Sequence, residues 1–266
     1  MARSAGSRPR RRLVVAVAVL AVALAVGGPF VYINYLKSDA PGRLDVATGP
    51  AATASTATAS DGTGDATGGS LDGSWTAGSG SVAGYRVKEV LLGQNTEAVG
   101  RTSAVTGKLT VSGSQVASGA FRVDLTQVTS DEQRRDAQFQ GRIMETATYP
   151  TASFELTEPI ELDALPAEGA TSSAKASGKL TVHGTTKAVT VQVTVQRSGD
   201  SFKVSGSIPV SFADYGITNP SFGPVTTEDH GEIEFLLPSP APDPARQGRQ
   251  PMWARYAPGS HPRGAP

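Results

Sequence analysis

The sequence of 266 residues contains no cysteine, which excludes disulfide bonds, thiolate nucleophiles and cysteine-ligated metals. It has only three histidines. His183 falls in a predicted turn, and His230 lies in an acidic stretch whose spacing does not bring metal ligands together. The sequence also lacks a nucleophile elbow, a phosphate-binding loop, a dinucleotide-binding glycine pattern and a zinc-protease motif. We therefore expect a protein that is not an enzyme, with no catalytic residues, no metal site and no resident cofactor.

Positive charge is scarce in the part of the chain that could fold. Residues 73–237 contain 13 Lys and Arg against 18 Asp and Glu, a net charge of −5, although the whole chain has a formal charge of zero. Binding to the phosphates of a nucleic acid requires a basic surface. The composition therefore argues against nucleic acid as a partner.

Long hydrophobic runs are missing except near the N-terminus. Residues 13–36 form an uncharged apolar run that is long enough to cross a bilayer, and arginines precede it in residues 1–12. The positive-inside rule predicts a cytoplasmic basic arm at 1–12 and a single-pass transmembrane signal anchor at 13–36, with the rest of the chain outside the cytoplasm at the cell membrane. The alternative is a secreted protein whose signal is cleaved near Ala23-Leu24-Ala25.

Two further segments are poor in large apolar residues. Residues 37–72 consist mainly of Ala, Thr, Ser and Gly, which predicts a flexible linker. Residues 238–266 are rich in Pro, Gly and Arg, which predicts a disordered tail. Neither segment can bury a core, so we expect the globular domain at residues 73–237.

The segment 73–237 contains many repeats of a period-two alternation between apolar and polar residues, which is typical of β-strands with one buried face. Such strands, joined by short turns, indicate an antiparallel sheet that packs on another sheet or closes on itself. We predict an all-β fold, an eight-stranded antiparallel barrel, with a sandwich as the alternative. The eight stretches are 83–87, 99–111, 121–125, 152–156, 174–182, 189–195, 202–210 and 233–237.

The predicted inward faces combine bulky residues with small ones. The small residues at inward positions are Gly107, Ala152, Ala174, Ala176, Gly178 and Gly206. We expect these small residues to leave room near the axis of the barrel, although glycine also marks bends in ordinary barrels.

One segment after residue 40 is predicted to be helical. Ser130 followed by Gln133 indicates a capping box at its start. Phe139, Ile143 and Met144 then share one face, which must cover something apolar. We predict a helical insertion that covers a mouth or a side of the barrel, and its apolar face either plugs the core or contacts a ligand.

Several motifs taken together resemble the YceI-like family. They include Arg135-Asp136, Tyr149-Pro150 and the sequence GKLTVHGTTK at 178–187, and the resemblance covers most of residues 73–237. It implies a lipocalin-like eight-stranded barrel with a helical insertion, which binds a polyisoprenoid chain such as a quinone tail or an isoprenyl phosphate. Where many members have His-Ser after the first tryptophan motif, this chain has Gly80-Ser81, so a head-group role for that histidine does not carry over.

Together these features predict a membrane-anchored barrel outside the cytoplasm that binds an isoprenoid lipid as a carrier or reservoir. The alternative is a structural or interaction module whose barrel is filled by its own side chains and which acts through its surface. The candidate ligand-binding residues are apolar and face inward from the strands and the helix. They are Tyr85, Leu109, Phe121, Val123, Leu125, Phe139, Ile143, Met144, Phe154, Ala174, Ala176 and Ile208.

Overall fold

The structure, a computed structural model, describes residues 40–46, 72–113, 115–161, 166–199 and 201–240. The predicted basic arm, the predicted anchor at 13–36 and most of the predicted linker and tail lie outside these residues. No helix among the described residues is long and apolar enough to cross a membrane.

The described residues form short and long β-strands with one short α-helix. The helix α1 comprises Gln133–Gln138 and continues into a π-helical turn at Phe139–Ile143, and two 3-10 turns lie at Leu125–Gln127 and Ala213–Tyr215. The strands are β1 Gly73–Thr76, β2 Val82–Leu91, β3 Gln94–Thr102, β4 Val105–Ser112, β5 Gln115–Asp124, β6 Thr129–Ser130, β7 Thr151–Leu156, β8 Ile160–Glu161, β9 Thr171–Val182, β10 Thr185–Ser198, β11 Ser201–Ser211, β12 Val225–Thr227 and β13 His230–Ser239.

All of these strands belong to one antiparallel sheet, in the order β1-β4-β5-β7-β9-β10-β11-β13-β2-β3-β6, with β12 paired to β2 and β8 paired to β5. Strands β3 and β4 lie near opposite ends of this order, yet only Ser103 and Ala104 separate them along the chain. The sheet must therefore curl until its two ends come together at this bend. The predicted all-β, antiparallel, lipocalin-like architecture with one helical insertion is confirmed.

The predicted count of eight strands is wrong. The stretch 99–111 is not one strand, because the structure divides it between β3 and β4. At the division Ala104 N donates to Thr102 Oγ1 at 3.0 Å and Val105 N donates to Ser103 O at 2.8 Å. These local bonds replace bonds to a neighbouring strand and turn the chain. The first half of β3, with the sequence QNTE, was not predicted because it has too few apolar residues to show an alternation.

The core lies inside the curl. It combines inward-facing side chains of nearly every long strand with those of the helical insertion. Its buried members are Val87, Leu125, Val128, Phe139, Met144, Ala152, Ala176, Leu180, Val182, Val191, Val193, Ile208, Val210, Phe212, Tyr215 and Ile217.

Aromatic rings cover the inward-facing glycines. A Cβ atom at residue 107 would come within 2.1 Å of the neighbouring ring, and one at residue 178 would come within 2.4 Å. Because a glycine backbone has no side chain, a ring from the next strand can lie across it. The expectation that these glycines leave free space is therefore wrong. The pairs are Gly107 with Phe121, Gly178 with Phe154 and Gly206 with Phe235.

Replacing Gly107 with Ala is expected to lower the free energy of unfolding by about 1–3 kcal/mol, because the ring of Phe121 must move to admit the new methyl group. Urea denaturation of the purified variant measures this. The matched control is Gly141→Ala, since nothing lies within 4 Å of a Cβ atom there. If both variants are as stable as the parent, the close contact between Gly107 and Phe121 does not exist in solution.

Residues 40–46, which we call the docked segment, lie against the outer face of the sheet. Arg43 forms an ion pair with Glu232, and this hydrogen bond lowers the pKa of Glu232 to about 2. Val46 is buried, and its backbone N donates to Ser205 Oγ at 3.3 Å. This part of the predicted flexible linker is therefore in contact with the domain, whereas residues 47–71 lie outside the described residues.

Beneath the docked segment lies a buried ion pair. Arg86 Nε donates to Glu234 Oε1 at 2.8 Å, and the two side chains are only 5% and 3% exposed. Arg86 also contacts Glu97 at 2.5 Å and the backbone oxygen of Pro41 at 2.6 Å. Burial alone would lower the pKa of Arg86, but its pairing with Glu234 and Glu97 outweighs this and raises it. The guanidinium therefore stays charged and links the outer face of the sheet to the docked segment.

Candidate functional site

Two adjoining cavities lie inside the curled sheet. The larger has a volume of about 1020 Å³ and is bounded by the helical insertion, β2 and the loop before β12. The smaller has a volume of about 160 Å³ and lies toward the other end of the fold. Ala83, Val123, Ala152 and Ile233 line both cavities, so the two spaces meet in the middle of the domain. An apolar cavity of this size with a few polar groups is typical of a small-molecule site.

The predicted ligand-binding residues divide between the two cavities. Contact with a ligand remains a prediction for all of them. Those that line the larger cavity are Tyr85, Val123, Leu125, Phe139, Ile143 and Met144. Those that line the smaller cavity are Leu109, Phe121, Val123, Phe154, Ala174, Ala176 and Ile208.

The helical insertion begins differently from the predicted capping box. Glu132 caps helix α1, because its side chain accepts a hydrogen bond from Arg134 N at 3.2 Å. Ser130 instead belongs to strand β6, where its Oγ donates to Asp136 Oδ1 at 2.6 Å and its backbone N donates to the same atom at 2.8 Å. Asp136 of the Arg135-Asp136 motif thus ties the helix to the strand that precedes it.

The π-helical turn positions the apolar wall of the larger cavity. Met144 N donates to Phe139 O at 2.8 Å, five residues earlier, and both side chains are buried. The ring of Phe139 stacks on that of Tyr85, with ring centres 5.0 Å apart and planes 17° apart. Burial raises the pKa of Tyr85, so its phenol remains neutral at physiological pH. Tyr85 thus lies between the backbone of Gly100 and the ring of Phe139, and both aromatic residues line the cavity.

An ion pair lies at the opening of the larger cavity. Arg135 Nη2 is 3.2 Å from Glu89 Oε1, and Arg135 also pairs with Asp131. Burial alone would lower the pKa of Arg135, but the attraction of Glu89 and Asp131 outweighs it and raises the pKa. The sequence reasoning missed Glu89, although the inward alternation at 83, 85 and 87 continues to residue 89 and could have identified it.

The Tyr149-Pro150 motif and the turn of the GKLTVHGTTK motif meet in a packed corner. Tyr149 and His183 lie edge to face with their ring centres 4.6 Å apart. A Cβ atom at Gly184 would come within 2.6 Å of the Tyr149 ring. His183 Nδ1 lies 3.2 Å from Tyr215 O. These residues therefore support the connection between β9 and β10, and none of them lines either cavity.

In the part of the chain that the structure describes, no group of three or more His, Asp or Glu side chains is placed so that it could hold a metal ion. His230 instead forms local contacts at the surface. Its Nε2 lies 3.2 Å from Glu228, and its Nδ1 lies 2.8 Å from Asp229.

Comparison with known proteins identifies structures of similar fold. A polyisoprenoid binding domain from Saccharophagus degradans, implicated in plant cell wall breakdown, is 18% identical with a TM-score of 0.51, and the match covers 64% of this chain and 99% of that domain. Burkholderia cenocepacia BcnA is 21% identical with a TM-score of 0.45, over 58% of this chain and 95% of that protein. The Campylobacter jejuni YceI protein is 15% identical with a TM-score of 0.39, and the match covers 51% of this chain and 82% of that protein.

No curated protein matches this chain. The model of the YceI-like domain does match it, over residues 75–238, which include the curled sheet, both cavities and the helical insertion. This match covers more than half of the 266 residues. The chain therefore belongs to the YceI-like family.

Proposed function

We propose that this protein binds a polyisoprenoid or an isoprenoid-quinone-type lipid in its larger cavity. The observation that carries the proposal is the volume of about 1020 Å³, enclosed mainly by apolar side chains. An isoprenoid chain is apolar and slender, and such a space removes it from water. The description of the Saccharophagus degradans domain as polyisoprenoid binding supports the same class of ligand.

The lipid has a natural orientation in this site. Its apolar chain lies against apolar side chains of the larger cavity such as Phe139 and Met144, and it extends toward the smaller cavity, which adjoins the larger one at Val123. Its polar head lies at the opening, where the guanidinium of Arg135 donates hydrogen bonds to a quinone or phosphate oxygen. Glu89 and Asp131 hold that guanidinium in place.

The protein acts as a carrier or reservoir anchored to the cell membrane through residues 13–36, with its domain outside the cytoplasm. The apolar run and the arginines before it support this placement. An isoprenoid in a bilayer is already in an apolar environment, so its transfer into the cavity gains little from the hydrophobic effect. The lipid therefore exchanges with the membrane and is not trapped in the cavity.

A module that acts only through its surface is the second candidate. It requires an interior filled by the protein's own side chains, and the volume of the larger cavity argues against that. Binding is also favoured over catalysis, because Glu89 and Asp131, which line the larger cavity, are engaged in ion pairs with Arg135.

Lipid extraction from the purified full-length chain tests this function. The chain is produced in a bacterium that makes isoprenoid quinones and isoprenyl phosphates, and it is washed in detergent before the lipids are quantified by mass spectrometry. We expect isoprenoid to be enriched over phospholipid relative to the host membrane. If the ratio of the two lipid classes equals that of the host membrane, the protein does not select isoprenoid and the surface module takes the place of the lipid carrier.

A further inference from the structure

The exposed large hydrophobic side chains of the described residues lie at one end of the fold. They are Val90, Leu92 and Phe222, which are 37%, 50% and 67% exposed. Together with Pro220 and Pro224 we call them the apolar rim. Pro220, Phe222 and Pro224 also line the larger cavity, so the rim borders its opening.

The position of Leu92 contradicts two ordinary preferences. Leu92 and Gly93 form the turn between β2 and β3, with φ values of 51° and 82°. Two-residue turns with positive φ at both positions favour Asn-Gly, and a left-handed backbone is unfavourable for a residue such as leucine. The side chain is also half exposed, so packing does not offset this cost. Such conflicts between sequence and structure occur at functional sites.

The backbone holds the rim in place. Phe222 N donates to Val225 O at 3.0 Å, and Val225 N donates back to Phe222 O at 3.1 Å, which closes a tight turn. Leu92 N donates to Pro224 O at 3.3 Å and joins the two turns to each other. The exposed side chains are therefore presented together on a built surface, and a large exposed apolar patch at a cavity opening is typical of an interaction site.

The docked segment leads toward the rim when it is followed backwards along the chain. Val46 contacts Ser205. Ser205 pairs with Leu236, and Leu236 pairs with Val82 at the start of β2, so Val46 is level with the start of that strand. Pro41 contacts Arg86, which lies further along the same strand. Strand β2 then continues past Arg86 toward Leu92, so residues 46 to 41 run toward the end that carries the rim.

The lengths of chain fit this arrangement. From Arg86 to Leu91 strand β2 advances by five residues, which is about 17 Å. Only residues 37–40 separate the apolar run from Pro41, which contacts Arg86, and the five steps from Leu36 to Pro41 reach about 17 Å when extended. A bilayer that contains residues 13–36 would therefore lie within reach of the apolar rim.

We propose that the apolar rim inserts into the surface of the bilayer that holds residues 13–36. The aromatic ring of Phe222 and the side chain of Leu92 suit the boundary between head groups and acyl chains. The opening of the larger cavity then faces the lipid, so that a lipid can enter without crossing water. Docking rests on the apolar rim and on the proposed anchor at residues 13–36, while its role in lipid exchange rests on the proposed binding of isoprenoid.

The charge of the domain determines what kind of attachment this is. Residues 73–237 have a net charge of −5, so anionic lipids do not attract the domain. Docking therefore occurs by insertion of apolar side chains. It does not strengthen when the proportion of anionic lipid rises, in contrast to the docking of a basic surface.

Single-cysteine labelling tests the proposal, because the native sequence has no cysteine. The full-length chain with Phe222→Cys or Leu92→Cys receives one fluorescent label and is reconstituted in phosphatidylcholine vesicles with brominated acyl chains. The matched control is Ser112→Cys, an exposed residue at the end of β4, which lies at the opposite end of the fold. Quenching of the two rim labels is expected to be severalfold greater than that of the control, and not to increase when phosphatidylglycerol replaces part of the phosphatidylcholine.

A second labelled variant separates insertion from an effect of the label itself. The label is placed at Val90→Cys, and Phe222 and Leu92 are both replaced by Ser. The quenching at Val90 is expected to fall to the level of the Ser112 control, whereas the same label with the native Phe222 and Leu92 remains quenched.

Two outcomes would overturn the proposal. In the first, the rim labels are quenched no more than the label at Ser112. In the second, the rim labels are shielded from a water-soluble quencher but unaffected by brominated lipid, which would show that a second copy of the chain covers the rim. The vesicles contain no isoprenoid, so a failure to dock is distinct from a failure to bind isoprenoid in the extraction experiment.

Discussion

Replacing Arg86 with Met is expected to lower the free energy of unfolding by about 3–5 kcal/mol, because it leaves the carboxylate of Glu234 buried without its main partner. Glu234 is 3% exposed, so water cannot replace the lost bonds. Its other cationic neighbours, Arg43 and Arg101, are 3.4 and 3.5 Å away and do not match the contact of 2.8 Å that Arg86 makes. Thermal and urea denaturation measure the change.

Two controls separate the effect of the buried ion pair from the effect of losing any surface charge. Lys187→Met removes an ion pair with Asp214 whose side chains are 46% and 60% exposed, and we expect a cost below about 1 kcal/mol. The double variant Arg86→Met with Glu234→Leu replaces both charges by apolar groups and should recover most of the lost stability. If Arg86→Met costs no more than Lys187→Met, the buried ion pair does not stabilise the fold.

Replacing Val123 with Phe is expected to remove most of the bound isoprenoid while the domain stays folded. Val123 lines both cavities, so a larger side chain there both fills the larger cavity and blocks the passage to the smaller one. The overpacking should cost about 1–3 kcal/mol. A thermal melt establishes that the variant is folded, and mass spectrometry of extracted lipid gives the isoprenoid content per chain.

The control for Val123→Phe lies on the same strand. Arg122 is exposed on the outer face of β5, so Arg122→Phe adds the same ring outside the cavity and should leave the isoprenoid content unchanged. Ala176→Phe adds a phenyl ring to the smaller cavity alone. This variant is expected to bind isoprenoids with shorter chains than the parent does, without losing binding. A folded Val123→Phe variant with as much isoprenoid as the parent would place the lipid outside these cavities.

Much of the interior could be predicted from the sequence. In a strand, successive side chains point to opposite faces, so the alternation around Phe121, Val123 and Leu125 indicates which side chains face inward. The same reasoning applies to the apolar face of Phe139 and Met144. All twelve predicted ligand-binding residues accordingly line one of the two cavities. Which of them contact a lipid remains a prediction, because contact depends on the ligand.

The contents of the interior could not be predicted in the same way. A glycine at an inward position indicates space only when no neighbour fills it, and the ring of Phe121 fills the space at Gly107. Likewise, Glu89 is an acidic residue on an inward face, and only the approach of Arg135 from the helical insertion makes it part of a paired site. Such features depend on which strand or helix comes to lie beside which.

The sequence by itself determined the antiparallel sheet with one buried face, because strand alternation is a local property of the chain. Tertiary structure alone decided how the cavities divide and where the docked segment lies. Arg43 and Glu232, which hold that segment, are 189 residues apart. Local composition predicts a free linker around Arg43, whereas the ion pair forms only because residues 40–46 lie against the outer face of the folded sheet, where Glu232 is exposed to them.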